Sequence, residues 1–302
     1  MEMHTATGPG ARVSALASGS SGNAFLVEAA GIKLLFDAGL NAATLEYYLR
    51  QRGTSPSELA AIFVSHEHID HLRGAGILAR RHRLPVVASE GTFRAGAAQF
   101  GVLPDIVVQK PGSEVNVNAA DGTGKITVRT FTVSHDAAEP AGFWIEAAGH
   151  NIVLCTDLGC ATDSIRDALQ AADLLVLEAN YDVDKLWRGR YHPALKRRVA
   201  GPHGHLANAD TAILVSELAR DSKHRSVPRT IWLAHLSAAN NTPALAFDTV
   251  TEPLNREGCT HVEIAVLARD RPSHIWHSSA LAVEEAHPTT VGQLASEPVC
   301  VE

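Results

Sequence analysis

Ala61-Ile62-Phe63-Val64-Ser65-His66-Glu67-His68-Ile69-Asp70-His71 is the stretch on which the reading of this chain turns. Its first four residues are apolar and rich in β-branched and aromatic types, the composition of a short buried strand. Directly after them, three histidines and an aspartate emerge within six residues. Side chains alternate along a strand end, so His66 and His68 are expected on one side. Asp70 and His71 then fall on the turn into a helix predicted over 72–83. Such an arrangement suits two metal ions close together, each with nitrogen and oxygen ligands. The bland alternative, a polar loop that happens to contain histidines, fits a strand terminus poorly.

Ligand types recur at other strand ends. His135 follows an apolar run over 130–134, Asp157 follows 152–156, and His235 follows 231–234. Each of these alone could cap a strand or be satisfied in a core. Alongside the first cluster they read as a ligand set.

Short β-branched runs separated by turn signals occur throughout, interleaved with helical patterns over 42–52, 72–83, 164–171, 209–220 and 242–256. Hairpin breaks are expected at Ala30-Gly31 and Gly149-His150. Hairpins mixed with strand–helix units predict an α/β fold of two mixed sheets with helices packed outside. No internal repeat and no Pro/Gly/Ser-rich spacer is visible, so residues 1–282 read as one domain. Residues 283–302, with Pro288 and Pro298, read as a loose tail.

Composition narrows the class. The 302 residues are 45% hydrophobic and 20% charged, with 26 Lys+Arg against 33 Asp+Glu, ordinary values for a chain able to bury a core. They exclude disordered, collagenous and disulfide-scaffold classes. No run reaches the roughly 18 apolar residues of a membrane span. The start, MEMHTATGPGAR, lacks the apolar stretch of a signal peptide. Four cysteines without a C-x-x-C spacing then imply reduced thiols in a cytoplasm.

His66-x-His68-x-Asp70-His71 followed in order by His135, Asp157 and His235 resembles the metallo-β-lactamase superfamily of binuclear hydrolases. The resemblance runs from Val13 to Trp276 and implies an αββα sandwich with the metals at one edge of the two sheets. It implies that His66, His68 and His135 hold the first metal, that Asp70, His71 and His235 hold the second, and that Asp157 bridges them. Shorter stretches resemble the YycJ-like branch of exonuclease-type proteins: Ser18-Gly19-Ser20-Ser21-Gly22-Asn23, Asp37-Ala38-Gly39, His135-Asp136-Ala137-Ala138-Glu139-Pro140, Glu178-Ala179-Asn180-Tyr181-Asp182 and Gly204-His205-Leu206-Ala207-Asn208. Glu178 with His205 is similar to the proton-donor pair of the tRNA 3′-processing branch.

Two divalent ions sharing a carboxylate lower the pKa of a bridging water, hold a hydroxide nucleophile and clamp phosphate oxygens. Zinc is favoured by the histidine-rich set, and manganese or iron accept the same donors. Asp70 is the expected orienter or base. The leaving alkoxide needs a proton, for which His205 held by Glu178 is the candidate and His203 the competitor. Asp37 is expected to brace a ligand histidine. Ser20, Ser21, Asn23, Asn180, Arg190 and Lys196 are the expected substrate contacts.

The net charge of −7 argues against strong nonspecific binding of nucleic acid, but its distribution is uneven. Lys185, Arg188, Arg190, Lys196, Arg197 and Arg198 occur before Ala209 with no acidic residue among them, interleaved with Trp187, Tyr191 and His192. That mixture suits stacking and phosphate contact. Arg73, Arg80, Arg81 and Arg83 form a second basic group. Either could simply be a solvated face. A DNA exonuclease is the favoured reading, ahead of RNA as substrate. A small ester, thioester or lactone hydrolase and a non-catalytic metal-binding protein are the rivals.

Overall fold

Apolar, β-branched segments pair into two seven-stranded sheets in the computed structural model, which describes residues 10–221, 229–259 and 261–278. The first sheet contains β1 (Arg12–Ala17), β2 (Ala24–Ala29), β3 (Ile32–Phe36), β4 (Ala61–Phe63), β5 (Val86–Ala88) and β6 (Ile106–Val108). The second contains β7 (Glu114–Asn118), β8 (Lys125–Thr132), β9 (Ala141–Ala147), β10 (His150–Cys155), β11 (Leu174–Glu178), β12 (Arg229–Ala234) and β13 (Val262–Val266). A last strand, β14 (Ile275–His277), returns to pair antiparallel with β1.

Both sheets follow one plan. An antiparallel meander, β1–β3 or β7–β10, feeds a parallel run, β3–β6 or β10–β13. The two halves of the chain thus repeat a topology that their sequences do not share. The inner faces meet in a core that includes Phe36 and Phe63, stacked at 5.0 Å, with Phe143 edge-on to Phe36 at 5.1 Å. Parallel strands are buried on both faces, which is why β11 up to Leu177 and most of β12 are apolar.

Helices cover the outer faces: α1 (Ala42–Gln51), α2 (Ile69–Leu72), α3 (Ala75–His82), α4 (Glu90–Ala95) and α5 (Ala97–Phe100) arise from the first half. The second half supplies α6 (Asp163–Gln170), α7 (Val183–Arg188), α8 (Pro193–Val199), α9 (Asn208–Asp221) and α10 (Pro243–Arg256). The expected two-sheet sandwich with outer helices is what the chain forms. No helix among the described residues is long and apolar enough to cross a membrane. The predicted tail, 283–302, lies outside the described residues.

Several local expectations need correction. The strand before the histidines stops at Phe63, so His66 and His68 lie on a loop and His68 stands at the N-cap of α2. The helix expected over 72–83 is broken at Gly74, whose N–H turns away to donate to Ala38 O at 2.7 Å. The second hairpin turns at Ala148 and Gly149, both with positive φ, as do Ala30 and Gly31 in the first. Two consecutive positive-φ residues give the turn that matches strand twist. The basic stretch after Lys185, for which the sequence reading named no element, carries part of α7 and all of α8.

Three turns interlock beneath the site. Asn23 N–H donates to Asp70 O at 2.8 Å, Gly39 N–H to Asn23 O at 3.0 Å, and Ala38 N–H to His71 O at 2.7 Å. This closeness demands glycine at 39, where an added Cβ would sit 1.6 Å from Asp70 O. Gly39→Ala should therefore cost at least about 2 kcal/mol of stability, since the clash is with backbone. A urea-denaturation midpoint equal to that of the parent would refute this account of the turn packing.

Candidate metal-binding active site

The site residues stand at strand ends on one edge of the sandwich. Asp37 follows β3, Asp157 lies just past β10, Glu178 ends β11 and His235 follows β12. Asp37, Asp157 and His235 have φ of 57°, 58° and 54°. Non-glycine residues seldom adopt the left-handed region, and such strain concentrates at functional sites. Here it lies at the point where each chain leaves its sheet.

Two imidazole sets form. His66, His68 and His135 bring one ligand atom each within 4.8 Å of one another, as do Asp70, His71 and His235. His66, His71 and Asp157 form a further such group, which joins the two. The seven candidate ligands are therefore gathered in one place.

Hydrogen bonds on the far side of each ring decide which nitrogen faces inward. His71 Nδ1 lies 2.7 Å from Asp37 Oδ2, and His235 Nδ1 lies 2.8 Å from Glu178 Oε1. His135 Nδ1 donates to Gly204 O at 3.0 Å, and His66 Nδ1 lies 3.0 Å from Ser65 Oγ. Asp37 also accepts from Ser65 N–H at 2.8 Å and from its hydroxyl at 3.0 Å, so one carboxylate holds both the loop and His71. This is the bracing expected of Asp37.

Some of the inward atoms lack protein partners. His66 Nε2 and His235 Nε2 are buried without a hydrogen bond, against the general rule that buried polar groups are paired. His68 Nδ1 and His135 Nε2 face each other at 3.2 Å, and Asp157 Oδ2 lies 2.9 Å from His71 Nε2 without a well-directed bond. Such a donor set fits divalent metal ions of the nitrogen- and oxygen-accepting kind. The residues present accommodate the group they were expected to hold.

Charge balance follows the same geometry. Burial opposes a charge on His71, but Asp37 and Asp157 outweigh it and raise its pKa well above the ordinary histidine value. Burial likewise opposes charge on His235, where Asp157, Asp70 and Glu178 prevail and raise it well above that value. His66 goes the other way, lowered by burial and then by the charge of His71. For Asp157, burial is outweighed by His235 and His71, and its pKa falls well below the usual carboxylate range.

Beside these ligands, Glu178 Oε1 is shared. It lies 2.9 Å from His205 Nδ1 and 2.8 Å from His235 Nδ1, while Oε2 accepts from the N–H groups of Leu158 at 2.7 Å and Leu206 at 3.3 Å. Burial would raise this carboxyl, but His205 and the hydrogen bonds bring it down to about 2. For His205, burial is outweighed by Glu178, which raises its pKa. His203, the competing proton donor, is instead engaged by Ser134 Oγ at 3.1 Å.

A cleft of about 280 Å³ opens over the site, lined by His68, Asp70, His135, Asp157, His205 and His235. Of the expected substrate contacts, Ser20 and Asn180 line it. Asn180 Nδ2 also donates to His235 O at 2.7 Å. Asn23 is buried beneath, with Nδ2 3.0 Å from His71 Nε2, so it supports the ligands and does not face the cleft. Ser21, Arg190 and Lys196 are not part of the lining, and Lys196 Nζ donates to Trp187 O at 2.7 Å.

Within the second basic group, Arg80 donates to Phe100 O at 2.6 Å and Arg81 to Glu46 at 2.6 Å, so both hold helices together. Sequence reasoning missed Ser65 and Ser18. Ser65 Oγ lies within 3.1 Å of His66, His71 and Asp37, and Ser18 Oγ accepts from His235 N–H at 3.0 Å. It also missed the ion pair of Asp136 with Arg198, which joins the loop after β8 to α8. Adjacency to His66 and His135 was the available signal for Ser65 and Asp136; Ser18 opens the stretch to Asn23, which marks the turn but not the contact of Ser18 with His235.

Residues 33–229 match the family model described as the beta-lactamase superfamily domain. Exodeoxyribonuclease YycJ of Bacillus anthracis is 38% identical over 250 residues, which are 82% of this chain and 91% of that protein. Exodeoxyribonuclease WalJ of Streptococcus pneumoniae serotype 2 is 36% identical over 247 residues, 81% of this chain and 88% of that one. Among solved structures, the metallo-beta-lactamase fold protein YhfI from Bacillus subtilis matches with a TM-score of 0.65 at 16% identity, covering 88% of this chain and 99% of that chain. That last likeness concerns the fold alone. With its sandwich, its gathered histidines and aspartates and these relatives, the chain belongs to the beta-lactamase superfamily as a metal-dependent hydrolase.

Proposed function

We infer that this chain is a DNA exonuclease that holds two divalent ions, zinc by preference with manganese or iron as substitutes, and works in the cytoplasm as a single domain over 1–282. The observation that carries the reading is the position of His205. Its Nδ1 is held by Glu178 at 2.9 Å, and its ring lines the same cleft as Asp70 and the ligand histidines. A cleft that pairs a metal-type donor set with a non-ligand acid suits cleavage of a bond whose leaving group needs a proton. Nuclease names among the relatives and the cationic segment on α7 and α8 support DNA over a small ester.

His66, His68 and His135 would hold one ion and Asp70, His71 and His235 the other, with Asp157 between. Bound there, the ions would activate water and neutralise phosphate oxygens. Asp70 Oδ2 lies 3.5 Å from His235 Nε2 and 3.9 Å from His71 Nε2, close enough to orient water entering beside the ligands. Glu178 raises the pKa of His205 and holds its Nδ1, which leaves Nε2 as the atom that would deliver a proton to the departing alkoxide. Asn180 steadies His235 through its carbonyl, and Ser20 offers a hydroxyl to the cleft.

Three outcomes follow. Metal-loaded protein should release nucleotides from end-labelled DNA, and Asp70→Ala should lower that rate by at least about 100-fold. Absence of release by the loaded parent would instead favour small esters. His205→Ala should cost about 100- to 10,000-fold on DNA but little on a phosphodiester with an acidic phenol leaving group. Equal losses on both substrates would remove His205 from proton donation. Asp37→Asn presents an amide donor to His71 and should weaken one ion about 10- to 100-fold. Metal content by mass spectrometry after dialysis should then fall from two ions per chain to one, and an unchanged content would contradict the bracing role.

A further inference from the structure

Four residues lining the cleft come from the arm formed by α7, α8 and the turn between them: Tyr191, Leu195, Arg198 and Val199. This arm has little core of its own. Tyr191 and Val199 pack against a small cluster of Tyr181, Leu186 and Ala207, and α8 contains no buried residue. Leu195 is 37% exposed although it lines a cavity floored by histidines and carboxylates. Leu195 and Tyr191 both line the cleft, and an apolar and an aromatic side chain on its wall suit a ligand with an apolar, flat surface.

The remaining chemistry of the arm says what else that ligand carries. Arg198 is paired with Asp136, which removes one negative charge from the cleft wall next to His135. Arg190 and Arg197 are exposed on the same arm, outside the cleft. With about 280 Å³ available, the cavity is of a size to take one nucleotide. A ligand with a flat apolar part inside and phosphates trailing over cations outside is the end of a single strand.

We propose that Tyr191 and Leu195 form a subsite for the terminal base, against which the last nucleotide stacks while the rest of the strand passes over Arg190 and Arg197. The inference rests on the nuclease reading above and adds the element that directs it to ends. Stacking of a base on an aromatic ring tolerates any sequence, because every base has a flat face. The subsite therefore distinguishes a base from no base, not one base from another.

The test compares single-stranded oligonucleotides ending in an ordinary nucleotide or in an abasic residue, using the metal-loaded full chain. The parent should release the ordinary terminal residue about tenfold faster, in kcat/KM, than the abasic one. In Tyr191→Ala and in Leu195→Ala that preference should collapse toward unity, and the ratio of the two substrates is the readout. Leu195 lies on a helix without buried residues, so its variant keeps the test sound even if Tyr191→Ala unfolds the arm. A preference that persists in Leu195→Ala and in a folded Tyr191→Ala overturns the subsite, and so does a parent that cuts both substrates equally. A loaded parent that cuts neither overturns the nuclease reading and the subsite together.

Discussion

Asp157 is the constraint on which the rest is built. Its two oxygens, almost wholly buried, lie within 3.6 Å of ring nitrogens of His71, His135, His205 and His235. A lone buried carboxylate would cost several kcal/mol, so it persists only where cationic, hydrogen-bonding or metal partners surround it. Those four imidazoles come from four separate turns. For all of them to reach one carboxylate, the ends of β4, β8, β10 and β12 must converge at one edge of the sandwich. The left-handed φ at Asp37, Asp157 and His235 is the local cost of that convergence.

Glu178 extends the same logic outward. Because Oε1 serves both His205 and His235, the two rings compete for one charge. Backbone donors from Leu158 and Leu206 saturate the other oxygen and fix the carboxylate in the orientation that allows sharing.

What the sequence discloses and what it hides have a common physical origin. The ligands are legible because metal chemistry restricts residue type, and because His66 to His71 cluster along the chain. His135, Asp157 and His235 are legible because each ends an apolar run. Loop geometry is another matter. That His66 and His68 leave the strand depends on Ser65 binding Asp37, a contact 28 residues apart. The break at Gly74 depends on Ala38, and the bracing role of Asn23 depends on Asp70, partners that spacing cannot announce. The basic stretches show the same limit: Arg80, Arg81 and Lys196 look like substrate contacts in one dimension and prove to hold backbone carbonyls or Glu46. The duplicated sheet topology is likewise invisible, because strand order and pairing and not residue identity are what the two halves share.

The arm over the cleft is joined to the metal loops more closely than its small core suggests. Gly204, just after α8, accepts from His135 Nδ1, and Pro202 accepts from Ser134 Oγ at 2.7 Å. Arg198 reaches Asp136 on the same loop. The segment that ends in His205 therefore also holds His135 Nδ1 and lines the cleft with Tyr191 and Leu195. Folds of this kind host many reactions, and function is set by what is grafted onto them. In this chain the graft cannot be exchanged as an independent loop, because the residues that would meet the substrate and those that orient His135 lie on one continuous stretch of backbone.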